Sequence, residues 1–150
     1  MLLALAAAAQ RWIPMPRWSA LIGRPTAVPA AWKGQRIEVV PLRWASASER
    51  KVVRAVEAAG RHLPWEPKCL AEAMVGQLLL RQFGTPGVVV VGLRQGDDGA
   101  WDAHAWLLGE HGALTGGRAA RGFTATTVFG VSGGLRADDV ELGAPPAPAG

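Results

Sequence analysis

Apolar positions fall into two regimes along this chain: up to about residue 83 they recur at helical spacing, and beyond it they run together or alternate. Ser46 followed by Glu49 has the form of a capping box, in which each residue satisfies a backbone N–H of the other. Val52, Val53, Val56 and Ala59 then recur at helical intervals while Arg50, Lys51, Arg54 and Glu57 take the opposite side, which predicts a helix ending near Gly60. His62 to Lys68, with Pro64, Trp65 and Pro67, reads as a rigid turn. Leu70, Ala71, Met74, Leu78 and Leu79 predict a second helix from Lys68 or Cys69 to about Phe83, stopped by Gly84-Thr85-Pro86. The β-branched run Val88 to Leu93 predicts a buried strand. A turn at Gly96-Asp97-Asp98-Gly99 leads to an antiparallel partner over Trp101 to Leu108. After a turn at Glu110-His111-Gly112, short strands are expected at Ala113–Thr115 and Phe123–Val128. Helices first and a meander afterwards predicts an α+β fold, with N-terminal helices packed on one side of a small antiparallel sheet.

The ends of the chain carry less pattern. Residues 1–23 show helical spacing broken at Pro14 and Pro16, Arg24 to Ala31 reads as a proline-containing loop, and Ile37 to Val40 suggests a short strand. The expected division is an apolar N-terminal segment with its loop over 1–45, the main domain over 46–142, and a disordered Pro/Ala/Gly tail over 143–150. Met1 to Ala9 is apolar but too short to span a bilayer, and no basic region precedes it as in a secretion signal. It is expected to pack as a short helix on the domain or on a partner, in a cytoplasmic protein.

Composition narrows the classes. The 150 residues are 49% hydrophobic and 19% charged, as in a globular domain. The net charge of +4 and the pI of about 10.2 raise a nucleic-acid partner. The basic residues, however, are scattered singly or share a helix with Glu49 and Glu57, so a solvated, mildly basic surface is the preferred reading. Seven Trp residues could stack bases, but their apolar neighbours favour packing. The single cysteine excludes an internal disulfide and a multi-cysteine zinc site, and no cofactor or metal is expected.

That cysteine, Cys69, falls in the first turn of the second predicted helix. Unpaired N–H groups and the helix dipole there favour a thiolate, and Lys68 adds positive charge. A buried structural thiol is the plain alternative. His104 shifts the balance. It lies in Trp101-Asp102-Ala103-His104-Ala105-Trp106, where alternation puts Asp102, His104 and Trp106 on one face and Trp101, Ala103 and Ala105 on the other. A histidine inside an apolar strand needs a partner. The order helix with Cys69, strand, strand with His104 brings the helix start against the sheet. A Cys–His pair is an activated nucleophile. His62 and His111 fall in turns and read as exposed.

Pro64-Trp65-Glu66-Pro67-Lys68-Cys69-Leu70, Leu78 to Pro86, Val90 to Arg94 and Ala103-His104-Ala105-Trp106 together resemble the transglutaminase-like cysteine peptidase of lasso-peptide biosynthesis, in its stand-alone form. The resemblance spans roughly residues 46–128. It implies a transglutaminase/papain-like fold, with 46–142 as the catalytic domain. It also implies a leader peptidase, with Cys69 as nucleophile and His104 as base, that cuts a ribosomally made precursor peptide. The implied partners are the leader region of the precursor, a small leader-recognition protein and a macrolactam synthetase acting next. Relatives are described as needing ATP, yet Gly96–Gly99 and Gly116-Gly117 lack a phosphate-loop pattern.

The resemblance also implies an Asp about a dozen residues after His-Ala-Trp, completing a triad. The corresponding stretch, Gly112 to Gly117, has no acid, and Leu108 stands where the family commonly has one. Asp102 is a possible orienter for the imidazole, and a backbone carbonyl or Thr115 are others. The alternatives are a non-catalytic scaffold of the same fold and a transglutaminase or amidase acting on another substrate.

Overall fold

A computed structural model of the chain describes residues 22–23, 25–32, 43–62, 69–110 and 112–130. The expectations for residues 1–21, the strand at Ile37–Val40, the turn at 63–68, His111 and the tail lie outside the described residues.

The first helix, α1 (Ala47–Arg61), starts on the capping box that the sequence proposes. The Glu49 N–H donates to Ser46 Oγ at 3.2 Å, and the Ser46 N–H to Glu49 Oε2 at 2.6 Å. Its apolar side, Val52, Val53 and Val56, is buried. The second helix, α2 (Cys69–Gln82), ends in a left-handed glycine: Gly84 has φ 65°, its N–H donates to Arg81 O, and the Thr85 N–H donates to Leu80 O. This pair of bonds is a Schellman motif, which satisfies two of the helix's terminal carbonyls.

Five strands form one antiparallel sheet: β1 (Pro25–Ala27), β2 (Val88–Gln95), β3 (Trp101–Gly109), β4 (Gly112–Thr115) and β5 (Thr124–Phe129), in the order β1-β5-β2-β3-β4. One face carries Val89, Ala105, Leu107 and Phe129 against Val52 and Val56 of α1 and Ala71, Met74 and Leu80 of α2. The other carries Val88, Val90, Trp106, Leu108 and Val128 against Trp32, Ala113 and Ala120. Burial on both faces explains why β2 is an unbroken valine run rather than an alternating one. The chain is thus α+β, with helices on one side of a small antiparallel sheet.

Two details differ from the sequence reading. Pro25–Ala27, expected as loop, is a strand paired with Thr127–Phe129 of β5. Ile22 and Trp32 on either side of it are buried, so this stretch is built into the sheet and its cores. And β5 does not continue a meander beside β4; it crosses to pair with β2, with a register shift between Val91 and Gly92.

The feature that positions the functional site is the unequal length of β3 and β4. β4 pairs only with Leu107–Gly109, so β3 runs on past it with an open outer edge from Ala105 back to Trp101. Helix α2 lies close over β3 because residue 76 is glycine: a Cβ there would stand 2.6 Å from Leu107 Cδ2.

Candidate active site

Cys69 is the first residue of α2, and the close seating of that helix on β3 delivers it to the open strand edge. The Ala105 N–H, which has no β4 partner, donates to Cys69 Sγ at 3.4 Å. The imidazole of His104, the preceding residue on β3, faces the same sulfur closely enough that each group shifts the titration of the other. The structure therefore brings together two side chains 35 residues apart in sequence.

The imidazole is held from its far side. His104 Nε2 lies 2.8 Å from the carbonyl oxygen of Gly116. A carbonyl only accepts, so Nε2 carries a proton and Nδ1 is left for the thiol. Trp106 lies nearly parallel to the ring at 6.2 Å between centroids, and Phe123 is tilted against it at 5.4 Å. Gly116 has φ 69°, and a Cβ on it would sit 2.7 Å from Ala105 O and 3.2 Å from His104 Nε2. Only glycine brings its carbonyl to that place without strain.

The electrostatics follow from these contacts. Burial pushes the Cys69 thiol up. Against it stand the His104 hydrogen bond, the Ala105 N–H, the imidazolium charge and the Leu70 N–H at the helix start, and together they hold the thiol below its ordinary value. For His104 the hydrogen bond to Cys69 is the strongest influence and pushes the imidazole up. Burial opposes it, and the Gly116 carbonyl, the thiolate charge and the more distant Asp102 carboxylate support it, so the imidazole lies above its ordinary value. The two titrate as a pair, and the arrangement favours thiolate and imidazolium. Such a pair can attack an acyl carbon and then protonate the departing group.

The other sequence candidates separate. Asp102 does not orient the imidazole: it is exposed and paired with Arg94 at 2.9 Å, and its influence on His104 is only through its charge. That role falls to the Gly116 carbonyl, and Thr115 Oγ1 has no hydrogen-bond partner. His62 caps the end of α1, exposed, with Nδ1 2.7 Å from Ala58 O. Trp106 is buried core behind the imidazole. Gly116 and Phe123 were not singled out as site residues. Gly116 contributes only main chain, and the one available signal was the Gly-Gly pair directly after Thr115. Among the described residues no group of His, Cys, Asp or Glu could hold a metal ion, and no helix is long and apolar enough to cross a membrane.

Compared with known proteins, residues 3–129 match the profile of a family described as the transglutaminase-like superfamily. No curated protein and no solved structure gives a match.

Proposed function

We propose that this chain, which belongs to the transglutaminase-like superfamily over residues 3–129, is a cysteine peptidase that removes the leader from a ribosomally synthesised lasso-peptide precursor. The observation that carries the catalytic part is the Cys69 sulfur at the start of α2, which accepts the Ala105 N–H beside a His104 imidazole whose far nitrogen is fixed by a carbonyl. The lasso-peptide part rests on the resemblance of Pro64–Leu70, Leu78–Pro86, Val90–Arg94 and Ala103–Trp106 to that peptidase. The thiolate of Cys69 attacks the carbonyl carbon of the leader–core bond. His104 gives its Nδ1 proton to the departing amine, leaving a thioester on Cys69. Water then attacks the thioester while His104 takes one of its protons, the thiolate returns, and the acid product leaves and gives its remaining proton to solvent. A leader-recognition protein presents the precursor, a macrolactam synthetase follows, and the reaction takes place in the cytoplasm.

The test is cleavage of a lasso precursor by the purified protein with the leader-recognition protein present or left out. Wild type should cut only when the recognition protein is present, and Cys69→Ala should cut in neither case. Full cleavage by Cys69→Ala would remove Cys69 as nucleophile. Incorporation of an amine in place of water would instead favour a transglutaminase.

A further inference from the structure

The sheet face that α1 and α2 cover ends where α2 begins. Ala105 and Val91 pack on the helix side of the sheet, together with Cys69. Two residues further out on the same face, by strand alternation, stand Ala103 and its cross-strand partner Leu93, and then Trp101. All three are exposed: Trp101 keeps 68% of its surface and Leu93 36%. Trp101 and Leu93 are two of the three large apolar side chains so exposed among the described residues, and they lie on the face that carries Cys69 further in.

The strand edge beside them is open as well. In an antiparallel strand the N–H and C=O of a residue point to the same side, and alternate residues point to opposite sides. Leu107 pairs outward with Thr115, and the Ala105 N–H points outward to Cys69 Sγ. Ala103 and Trp101 therefore present their N–H and C=O outward too, with no strand partner among the described residues. Open edges are normally blunted by charge, proline or a bulge. Here the one charge in the stretch, Asp102, lies on the other face and is paired with Arg94. What remains is an apolar, hydrogen-bonding ledge that ends at the reactive sulfur.

We infer that this ledge, the β3 edge from Trp101 to Ala103 with Leu93 beside it, binds the substrate as an added strand and takes one of its apolar side chains against Leu93 and Trp101. The inference rests on the cysteine-peptidase reading and adds the substrate preference to it. Pairing with main-chain groups gives affinity and the side-chain contact gives selectivity, as in other strand-addition sites. Ala103 is two residues from Ala105, or roughly 7 Å along the strand. Trp101 is four residues away, so the apolar residue held between it and Leu93 lies about two to three residues from the scissile bond. An extended peptide occupies the ledge, not a second copy of the chain.

The test uses short peptides ending in a vinyl sulfone, which label Cys69 without hydrolysis, with leucine, serine or aspartate placed one, two or three residues from the warhead. The labelling rate is read by mass spectrometry, with iodoacetamide as a probe that needs no subsite. The leucine peptide should label fastest at one of these positions, and Trp101→Ala or Leu93→Ser should slow that peptide at least about tenfold while leaving iodoacetamide unchanged. Trp101→Phe should restore most of the rate. N-methylating the peptide amide that faces Ala103 should slow it by a similar factor. Equal rates for all peptides, or for wild type and Trp101→Ala, would overturn the inference. So would a dimer on size exclusion that Trp101→Ala dissolves without any change in labelling. Cleavage of the full precursor with the leader-recognition protein present separates the two claims: selective labelling without such cleavage keeps the ledge and sinks the peptidase, and cleavage indifferent to Trp101 does the reverse.

Discussion

His104 has two ring nitrogens and two neighbours that need them, Cys69 and the Gly116 carbonyl. The carbonyl fixes the tautomer and stabilises the imidazolium, the work a carboxylate does in a triad. Gly116→Ala tests that role. The new Cβ would press on Ala105 O and crowd Nε2 from a left-handed backbone that costs about 1–3 kcal/mol for a non-glycine residue. Peptide cleavage should fall at least about tenfold. Losing the carbonyl also removes one influence that raises the imidazole, so the alkaline limb of the kcat/KM profile should move to lower pH. An unmoved limb with unchanged rate would dismiss Gly116 as orienter. That Cys69 and His104 would be brought together was legible in the sequence, because their side chains stand out at a helix start and in an apolar strand. Gly116 was not, because a main-chain carbonyl leaves no mark on residue identity.

Helix α1 reaches the strands through one buried carboxylate. Glu49 accepts the Ser46 N–H with Oε2 and, across the molecule, the Glu110 N–H with Oε1 at 3.0 Å. Glu110 lies at the β3–β4 turn, and the same chain stretch leads through β4 to Gly116. Residue 109 is glycine in a place where a Cβ would run into Glu49 Oε1. Glu49→Ala leaves both N–H groups without their acceptor and should cost about 2 kcal/mol or more in a denaturant titration. A loss below about 0.5 kcal/mol, the ordinary range of a surface change, would show the link to be unimportant. The capping box and the 3.6-residue spacing made α1 and α2 readable. β1 was not readable, because it is three residues long and opens on Pro25. An edge strand tolerates proline, and nothing in so short a run signals pairing with a strand about a hundred residues later. The crossing of β5 to β2 is likewise a long-range choice that local pattern does not encode.

At the scale of the whole molecule, the first described residues are part of the fold. Ile22 packs among the helices and Trp32 against the opposite face of the sheet. Fully burying one such side chain is worth about 1.5–3 kcal/mol, and the whole stability of a domain is about 5–15 kcal/mol. A chain begun at Ser46 should therefore lose much of its stability, and with β1 gone it leaves the outer edge of β5 unpaired. Circular dichroism on heating should show a transition lowered well below that of the full chain, or none. An unchanged transition would mean that residues 46 onward fold alone as one catalytic unit. The same wholeness serves the site: the two helices fix where α2 begins, and the short β4 leaves the strand edge open at that point.

The most direct test of the preformed pair is the rate of iodoacetamide alkylation as a function of pH, in wild type and His104→Ala. The chain has a single cysteine, so the signal belongs to Cys69 alone. Wild type should react through a thiolate that forms below the ordinary thiol range. In His104→Ala the hydrogen bond and the imidazolium charge are gone while burial remains, so the thiol should titrate at higher pH. At neutral pH its rate should fall below that of wild type. Identical profiles in the two proteins, both titrating as an ordinary thiol, would contradict the pair.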